Sequence, residues 1–195
     1  MGNMISTQLF SSTNLRLAAV DVEKDAVQES AWTHDLAYAA QMHDAIVHPL
    51  RTMEIMKKFQ EWAKESSEKG TRFFFAVRQK TDDRLIGFVH LPWMSWSNRS
   101  TNLRLGIGVT ADLQQYGGEV LEMALRFIFN ELNLYRVTTP VPGYNLEYTA
   151  LYEQAGFVLE VRQREMCYRS GQRWDLLLYG CLAEEWQKSK KEAQS

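Results

Sequence analysis

The chain has 195 residues, of which 45% are hydrophobic, 24% charged and 12% aromatic, and its net charge is −2. That length suits one well-buried domain, and six Trp, nine Phe and eight Tyr supply enough apolar surface to exclude global disorder. A pI near 6.1 excludes a cationic field for nucleic acid or anionic lipid, and no apolar run nears the ~20 residues that cross a bilayer.

The start, Met1-Gly2-Asn3-Met4-Ile5-Ser6, lacks the basic and apolar regions of a signal peptide. It fits the short M-G-x-x-x-[ST] pattern of N-myristoylation at Gly2, with a chance match as the alternative. No polybasic segment follows to give the second signal that stable anchoring needs. Residues 1–13 read as a loose arm, 14–183 as one domain and 184–195 as a polar tail. Leu15, Leu17 and Ala19 alternate as a strand over Asn14–Ala19, and Asp21 is placed to cap a helix from Val22 to about Ala31. Trp32–His48 is ambiguous, Ala-rich but broken by His34, His43 and Pro49. Thr52–Ser67 is an amphipathic helix with Ile55, Met56, Phe59, Trp62 and Ala63 on one face, closed by Gly70.

Strands follow at Arg72–Gln79 and Leu85–Leu91, turned by Thr81-Asp82-Asp83. Trp93–Thr101 is a polar, aromatic connection and Asn102–Val109 a further strand. Gly117–Asn133 reads as the second strong helix, with Leu121, Ala124, Leu125, Ile128 and Leu132 as its buried stripe. Tyr135–Val141 is a strand and Asn145–Gln154 a short helix. Phe157–Tyr168 and Gln172–Leu182 form a hairpin about Ser170-Gly171. The polar segment from Ala183 reads as a final frayed helix, and its Lys188–Lys191 run lacks the interleaved aromatics of a nucleic-acid patch. The order β-α-α-β-β-β-α-β-α-β-β makes this an α/β domain with a mixed sheet, neither a doubly wound Rossmann nor a barrel.

From Leu85 to Leu182 the chain resembles the GNAT acetyltransferases, in particular the ribosomal-protein N-terminal acetyltransferase (RimJ/RimL-like) branch. The resemblance rests on Leu85-Ile86-Gly87-Phe88-Val89, Leu105-Gly106-Ile107-Gly108-Val109 and Tyr116-Gly117-Gly118-Glu119. It continues through Phe129–Val137, Tyr144-Asn145, Ala150–Phe157 and Tyr168-Arg169-Ser170-Gly171, and Trp32-Thr33-His34-Asp35 resembles a further family segment. It implies a GNAT-like fold and an enzyme that moves an acetyl group from acetyl-CoA directly to a primary amine: a protein N-terminus, a polyamine, an amino sugar or a similar small amine. Such a site must stabilise an oxyanion and protonate a departing thiolate.

The resemblance assigns the backbone N–H groups of Ile107, Gly108 and Val109, on a strand that parts from its neighbour, to the pantetheine amides and the thioester oxygen. It assigns the pyrophosphate to Gln114, Gln115, Tyr116, Gly117 and Gly118 at the start of a helix. Asn145 would hold the pantetheine arm, and Tyr152 would be the general acid; apart from the resemblance, Tyr152 reads first as a half-buried aromatic on a short helix. Trp32, His34, Asp35, Trp93 and Arg104 are candidates for the acceptor side. Trp93 and Trp96 would wall the acceptor pocket, stack on a cation, or simply cap the core. Independently of the family, Pro140 and Pro142 remove two N–H groups from one side of a strand, which fits strands that part there, or else a sheet edge or loop.

The sequence also departs from the family. The segment Asp112–Gly118 is shorter than the family's pyrophosphate loop and lacks its first glycine, and Arg104 stands where many relatives carry a carboxylate. Those departures favour the alternative of a lapsed GNAT-like domain that binds a ligand or partner without turnover. His34, His43, His48 and His90 lack metal-ligand spacing, so no metal is expected. Cys167 and Cys181 are too far apart for a C-x-x-C pair and sit in apolar contexts, as in a cytoplasmic protein with reduced thiols. A monomer and a homodimer are both compatible with the exposed hairpin.

Overall fold

The computed structural model describes residues 9–42 and 47–192, so the Gly2 pattern and His43 lie outside the described residues. The elements are β1 (Leu15–Ala18), α1 (Val22–Trp32), α2 (Leu36–Met42), α3 (Thr52–Lys69), β2 (Phe73–Gln79), β3 (Leu85–Leu91), β4 (Met94–Ser95) and β5 (Ser100–Asn102). They continue with β6 (Arg104–Ile107), α4 (Thr110–Arg126), β7 (Arg136–Pro142), α5 (Leu146–Gln154), β8 (Val158–Arg169), β9 (Gln172–Leu182) and α6 (Ala183–Glu192). A π-helical turn, Phe127–Glu131, ends α4.

The element order corrects the sequence reading in three places. The ambiguous Trp32–His48 stretch contains α2, whose N-terminus is capped by Asp35 Oδ1 accepting from Ala37 N (2.8 Å) and Tyr38 N (3.0 Å). The aromatic connection after Trp93 contains the short strands β4 and β5, and the strand expected over Asn102–Val109 is interrupted at Leu103. Helix α4 begins at Thr110 rather than at Gly117. Other local signals behave as expected. Asp21 Oδ1 accepts from Glu23 N and Lys24 N, Gly70 ends α3 at φ +58°, and Ser170 and Gly171 carry the positive φ of a two-residue hairpin turn.

Two sheets result. One runs β1-β2-β3-β6 and is antiparallel throughout; the other runs β4-β5-β7-β9-β8, with β5 and β7 parallel. The run Phe73-Phe74-Phe75 shows how the first sheet is covered, because successive side chains point to opposite faces. Phe74 stacks on Phe88 and meets Phe59 of α3, each with ring centres 5.1 Å apart. Phe73 and Phe75 point the other way, onto Phe127 at the end of α4, at 5.2 and 5.0 Å. So α1, α2 and α3 cover one face and α4 the other, with a buried apolar cluster in each layer. Arg78 of β2 pairs with the buried Asp25 of α1 at 2.6 Å, tying that layer to the sheet. The C-terminal helix is polar outside, but its Trp186 is buried against Phe129, 5.4 Å between ring centres.

Gly106 and Gly108 of the Leu105–Val109 segment face the α1–α2 layer. A side chain at Gly106 would collide with Tyr38 and Met42, and a Cβ at Gly108 would lie 1.8 Å from the Trp32 ring. Gly118, inside α4, has open space where its Cβ would go. Gly108→Ala is therefore expected to lower the unfolding free energy by about 2 kcal/mol through overpacking. Gly118→Ala should raise it by up to about 1 kcal/mol by removing a helix-interior glycine. Urea unfolding of the two variants checks both signs, and equal effects would contradict this packing.

Candidate active site

β5 and β6 are successive parts of one extended stretch with different partners. β5 pairs with β7, and Leu103 N still donates to Thr138 O at 2.8 Å; from Arg104 onward the stretch pairs only with β3. Beyond Leu103, then, β6 and β7 part. Gly108 N donates to Ile86 O on the β3 side (3.0 Å), so by strand alternation the N–H groups of Leu105 and Ile107 face the opening, as that of Leu103 faces Thr138. On the opposite wall Thr138 O accepts from Leu103, so Pro140 and Pro142 present the same side to the opening. The two prolines lie neither at a sheet edge nor in a loop: β7 is flanked by β5 and β9, and the missing N–H groups fall where no strand would accept them.

The donors expected at the opening are differently engaged. Ile107 N donates to the Tyr148 hydroxyl of α5 at 2.9 Å. Gly108 N belongs to the β3 ladder, which corrects its expected place among the free donors. Val109 N–H has no partner among the described residues, and Val109 caps α4 without a side-chain hydrogen bond.

The helix start is also corrected. The N–H groups that α4 offers are those of Thr110, Ala111 and Asp112, while Gln114, Gln115, Tyr116, Gly117 and Gly118 lie within the helix. Gln114 Nε2 donates to Glu147 Oε1 (3.2 Å), Tyr116 OH accepts from Gln79 Nε2 (2.8 Å), and Gly117 packs against Leu113 and Leu151. The physical reason is that only two residues, Gly108 and Val109, separate β6 from α4, so the helix starts well before Gly117. The Asp112 carboxylate takes a bidentate ion pair from Arg84 at 2.7 and 2.9 Å, which neutralises it beside the helix N-terminus.

A groove of about 820 Å³ runs between α4, α5 and α6, lined among others by Leu113, Gly118, Leu151 and Gln154. Its carboxylates are engaged by the protein itself: Glu119 by Asn14, Glu122 by Lys190, Glu147 by Gln114 and Glu153 by Tyr179.

α5 brings two expected residues to the opening. Asn145 caps it and is buried, with Nδ2 donating to Ala37 O of α2 at 3.4 Å. Tyr152 is fully buried, its ring 5.1 Å from that of Phe157. Burial pushes its phenol up to about 12, against the opposing pull of Thr139 and Arg104, which favour the phenolate. Arg104 sits on β6 opposite His90.

The acceptor candidates divide. Trp32 lies on Gly108 and, with Asp35 at the head of α2, stands at the open end near Tyr148. His34 is exposed in the α1–α2 turn. Trp93 is half-exposed at the closed end, its carbonyl accepting from Thr101 Oγ1 (2.7 Å). The path from Thr101 puts it about 20 Å from Ile107 at the usual rise per strand residue, although the parting of the strands begins just beyond Leu103. Trp96 is half-exposed in the same connection.

Sequence reasoning missed Tyr148, one helical turn before Tyr152 and therefore on the same face, a spacing that could have found it. It also missed the buried pair of Glu29 and Tyr38, in which the phenol donates to the carboxylate. Burial and then the Glu29 charge raise Tyr38 well above the ordinary phenol range. Among the described residues no cluster of His, Cys, Asp and Glu could hold a metal ion, and no helix is long and apolar enough to cross a membrane.

Residues 14–158 match the acetyltransferase (GNAT) domain family. Over 181 residues the chain is 24% identical to the SPbeta prophage-derived uncharacterized N-acetyltransferase YokL of Bacillus subtilis (strain 168), covering 91% of this chain and 95% of that protein. Among solved structures, a chimera of spermidine N-acetyltransferase SpeG from Vibrio cholerae and hSSAT superposes with a TM-score of 0.72 at 22% identity. It covers 90% of this chain and 99% of that one. A Vibrio cholerae protein described as a ribosomal-protein-serine acetyltransferase gives a TM-score of 0.71 at 18% identity, over 89% of this chain and 96% of that one. These two likenesses establish a shared fold. The family match takes in both parted strands and the whole of α5, and the chain belongs to the GNAT family of acetyltransferases.

Proposed function

We propose that the protein transfers the acetyl group of acetyl-CoA directly to a primary amine, such as a protein N-terminus, a polyamine, an amino sugar or a similar small amine. We place this activity in one domain, residues 14–183, acting in the cytoplasm as a monomer or homodimer. The observation that carries the reading is the opening between β6 and β7, with N–H groups on one wall and Pro140 and Pro142 on the other. That opening fits a narrow arm bearing amides. The exposed, uncapped start of α4 fits a diphosphate, through its free N–H groups and the positive end of the helix dipole.

Acetyl-CoA supplies the acetyl group as an activated thioester. Val109 N–H and the first N–H groups of α4 would hold the long ligand, and Asn145 would fix its arm. Trp32 and Asp35 would shape the amine's approach at the open end. Tyr152 is protonated at neutral pH and is the candidate to deliver a proton to the leaving thiolate. With its phenol at about 12 and a thiol near ~8.5, that delivery is uphill by about 5 kcal/mol. Thr139 and Arg104 are the groups placed to reduce the gap, because both favour the phenolate.

The first test is thermal unfolding with acetyl-CoA, free CoA and ATP. A ligand bound only by the folded state, at a hundred times its dissociation constant, adds about 2.7 kcal/mol and should raise Tm by a few degrees. A shift with acetyl-CoA and none with ATP supports the reading. No shift would return the chain to the class of a fold retained without its co-substrate. Tyr152→Phe should lower kcat for a verified amine at least about tenfold while acetyl-CoA affinity hardly changes. Unchanged kcat removes Tyr152 from the acid's role.

The raised phenol also predicts a pH effect. Its folded value lies above the ordinary ~10, so its stabilisation is fully present below about pH 10 and is lost as pH climbs towards 12. Base-induced unfolding of Tyr152→Phe, followed by circular dichroism, should therefore lie at higher pH than that of the parent chain.

A further inference from the structure

The hydroxyl of Tyr148 lies within the opening, and neither the motifs nor the family resemblance gave it a role. It accepts the Ile107 N–H at 2.9 Å, and its own proton is donated to no described residue. A hydroxyl that accepts from an amide turns its proton away from that amide, so this one is available to a second acceptor in the opening. The side chain cannot swing aside cheaply. Tyr148 is 2% exposed in the core cluster that includes Ile107, Tyr152 and Phe157, and Asn145, at the head of the same helix, is tied to Ala37.

Resting on the acetyl-CoA reading above, we infer that the Tyr148 hydroxyl, held by the Ile107 N–H, is the hydrogen-bond donor that meets the thioester oxygen. The strand amide then acts through the phenol rather than by direct contact. A hydroxyl that accepts from an N–H is polarised by it and becomes a stronger donor, and a donor fixed before reaction needs no reorganisation as charge develops on the oxygen. Burial supports the role, because it holds this phenol well above its ordinary range, even against the pull of the Ile107 N–H, and keeps its proton in place.

The rival arrangement uses the same hydroxyl as a stand-in that leaves Ile107 when the thioester oxygen arrives. Binding separates the two. Calorimetry with acetyl-CoA and with ethyl-CoA, a thioether lacking the carbonyl, measures what the carbonyl contributes. The parent chain should prefer acetyl-CoA by about tenfold, the discrimination one good hydrogen bond gives. Tyr148→Phe should bind both alike, with ethyl-CoA affinity within about twofold of the parent and kcat down about a hundredfold. Because the phenylalanine also leaves Ile107 N–H unpaired, 3,5-difluorotyrosine at position 148 provides a variant that keeps the shape. Its more acidic hydroxyl should widen the acetyl preference, which a purely structural hydroxyl would leave alone.

Tighter acetyl-CoA binding by Tyr148→Phe would establish the stand-in and overturn the inference. So would a preference that neither variant moves, or a parent chain that binds both ligands equally. A parent chain that binds neither ligand would instead sink the acetyl-CoA reading and this inference with it.

Discussion

The hydrogen bond from Leu103 N to Thr138 O is the last between the two halves of the sheet, and the site depends on the ladder stopping there. A strand that loses its neighbour exposes a row of N–H and C=O groups, and in a buried place each must find another partner. Here the two walls solve this differently. On β7, Pro140 and Pro142 lack the donors altogether. On β6 the donors remain, and a side chain from α5 takes the one at Ile107. The opening is therefore asymmetric: one wall is poor in donors by sequence, and the other is rich in them.

The face of β6 away from α4 imposes a second constraint. Gly106 and Gly108 let Tyr38, Met42 and Trp32 lie almost on the backbone, which brings the α1–α2 layer to the mouth of the opening. That contact holds because the layer is fastened elsewhere, by Asp25 to Arg78 and by Glu29 to Tyr38 within it. A buried ion pair such as Asp25–Arg78 adds little net stability, but removing the partner of either buried carboxylate strands its charge, so both contacts hold the layer in place. The same helices then set the shape of the space an acceptor would enter. On the proposed reading, residues on α1 and α2 would set which amine is accepted.

Much of this was legible in the sequence wherever a local rule operates. The strand over Arg72–Gln79, the Asp21 cap, the Ser170-Gly171 turn and the paired prolines all follow from chemistry within a few residues. The start of α4 was not legible, because Val109 caps without a side-chain signal while Gly117-Gly118 imitates a helix boundary. β4 and β5 are too short to show a period. Glu29 sits in a helix rich in charged residues and looks solvent-facing until Tyr38, nine positions on, arrives to cover it. These failures share a cause: each depends on a tertiary partner that local propensity cannot name.

The two-residue connection between β6 and α4, Gly108 and Val109, redistributes what a CoA-like ligand could be held by. A glycine-rich loop wraps a diphosphate with successive N–H groups, whereas a bare helix start offers only its first turn and its dipole. The nearby charges do not make up the difference: Arg84 is committed to Asp112, and the groove alongside α4 carries four carboxylates against Lys190. On the proposed reading the diphosphate is therefore a secondary anchor. Affinity must come mainly from the arm within the parted strands, where the surroundings are dry and each hydrogen bond counts for more. Recognition is thereby moved from the nucleotide end towards the reacting end, where Tyr148 and Tyr152 stand one helical turn apart.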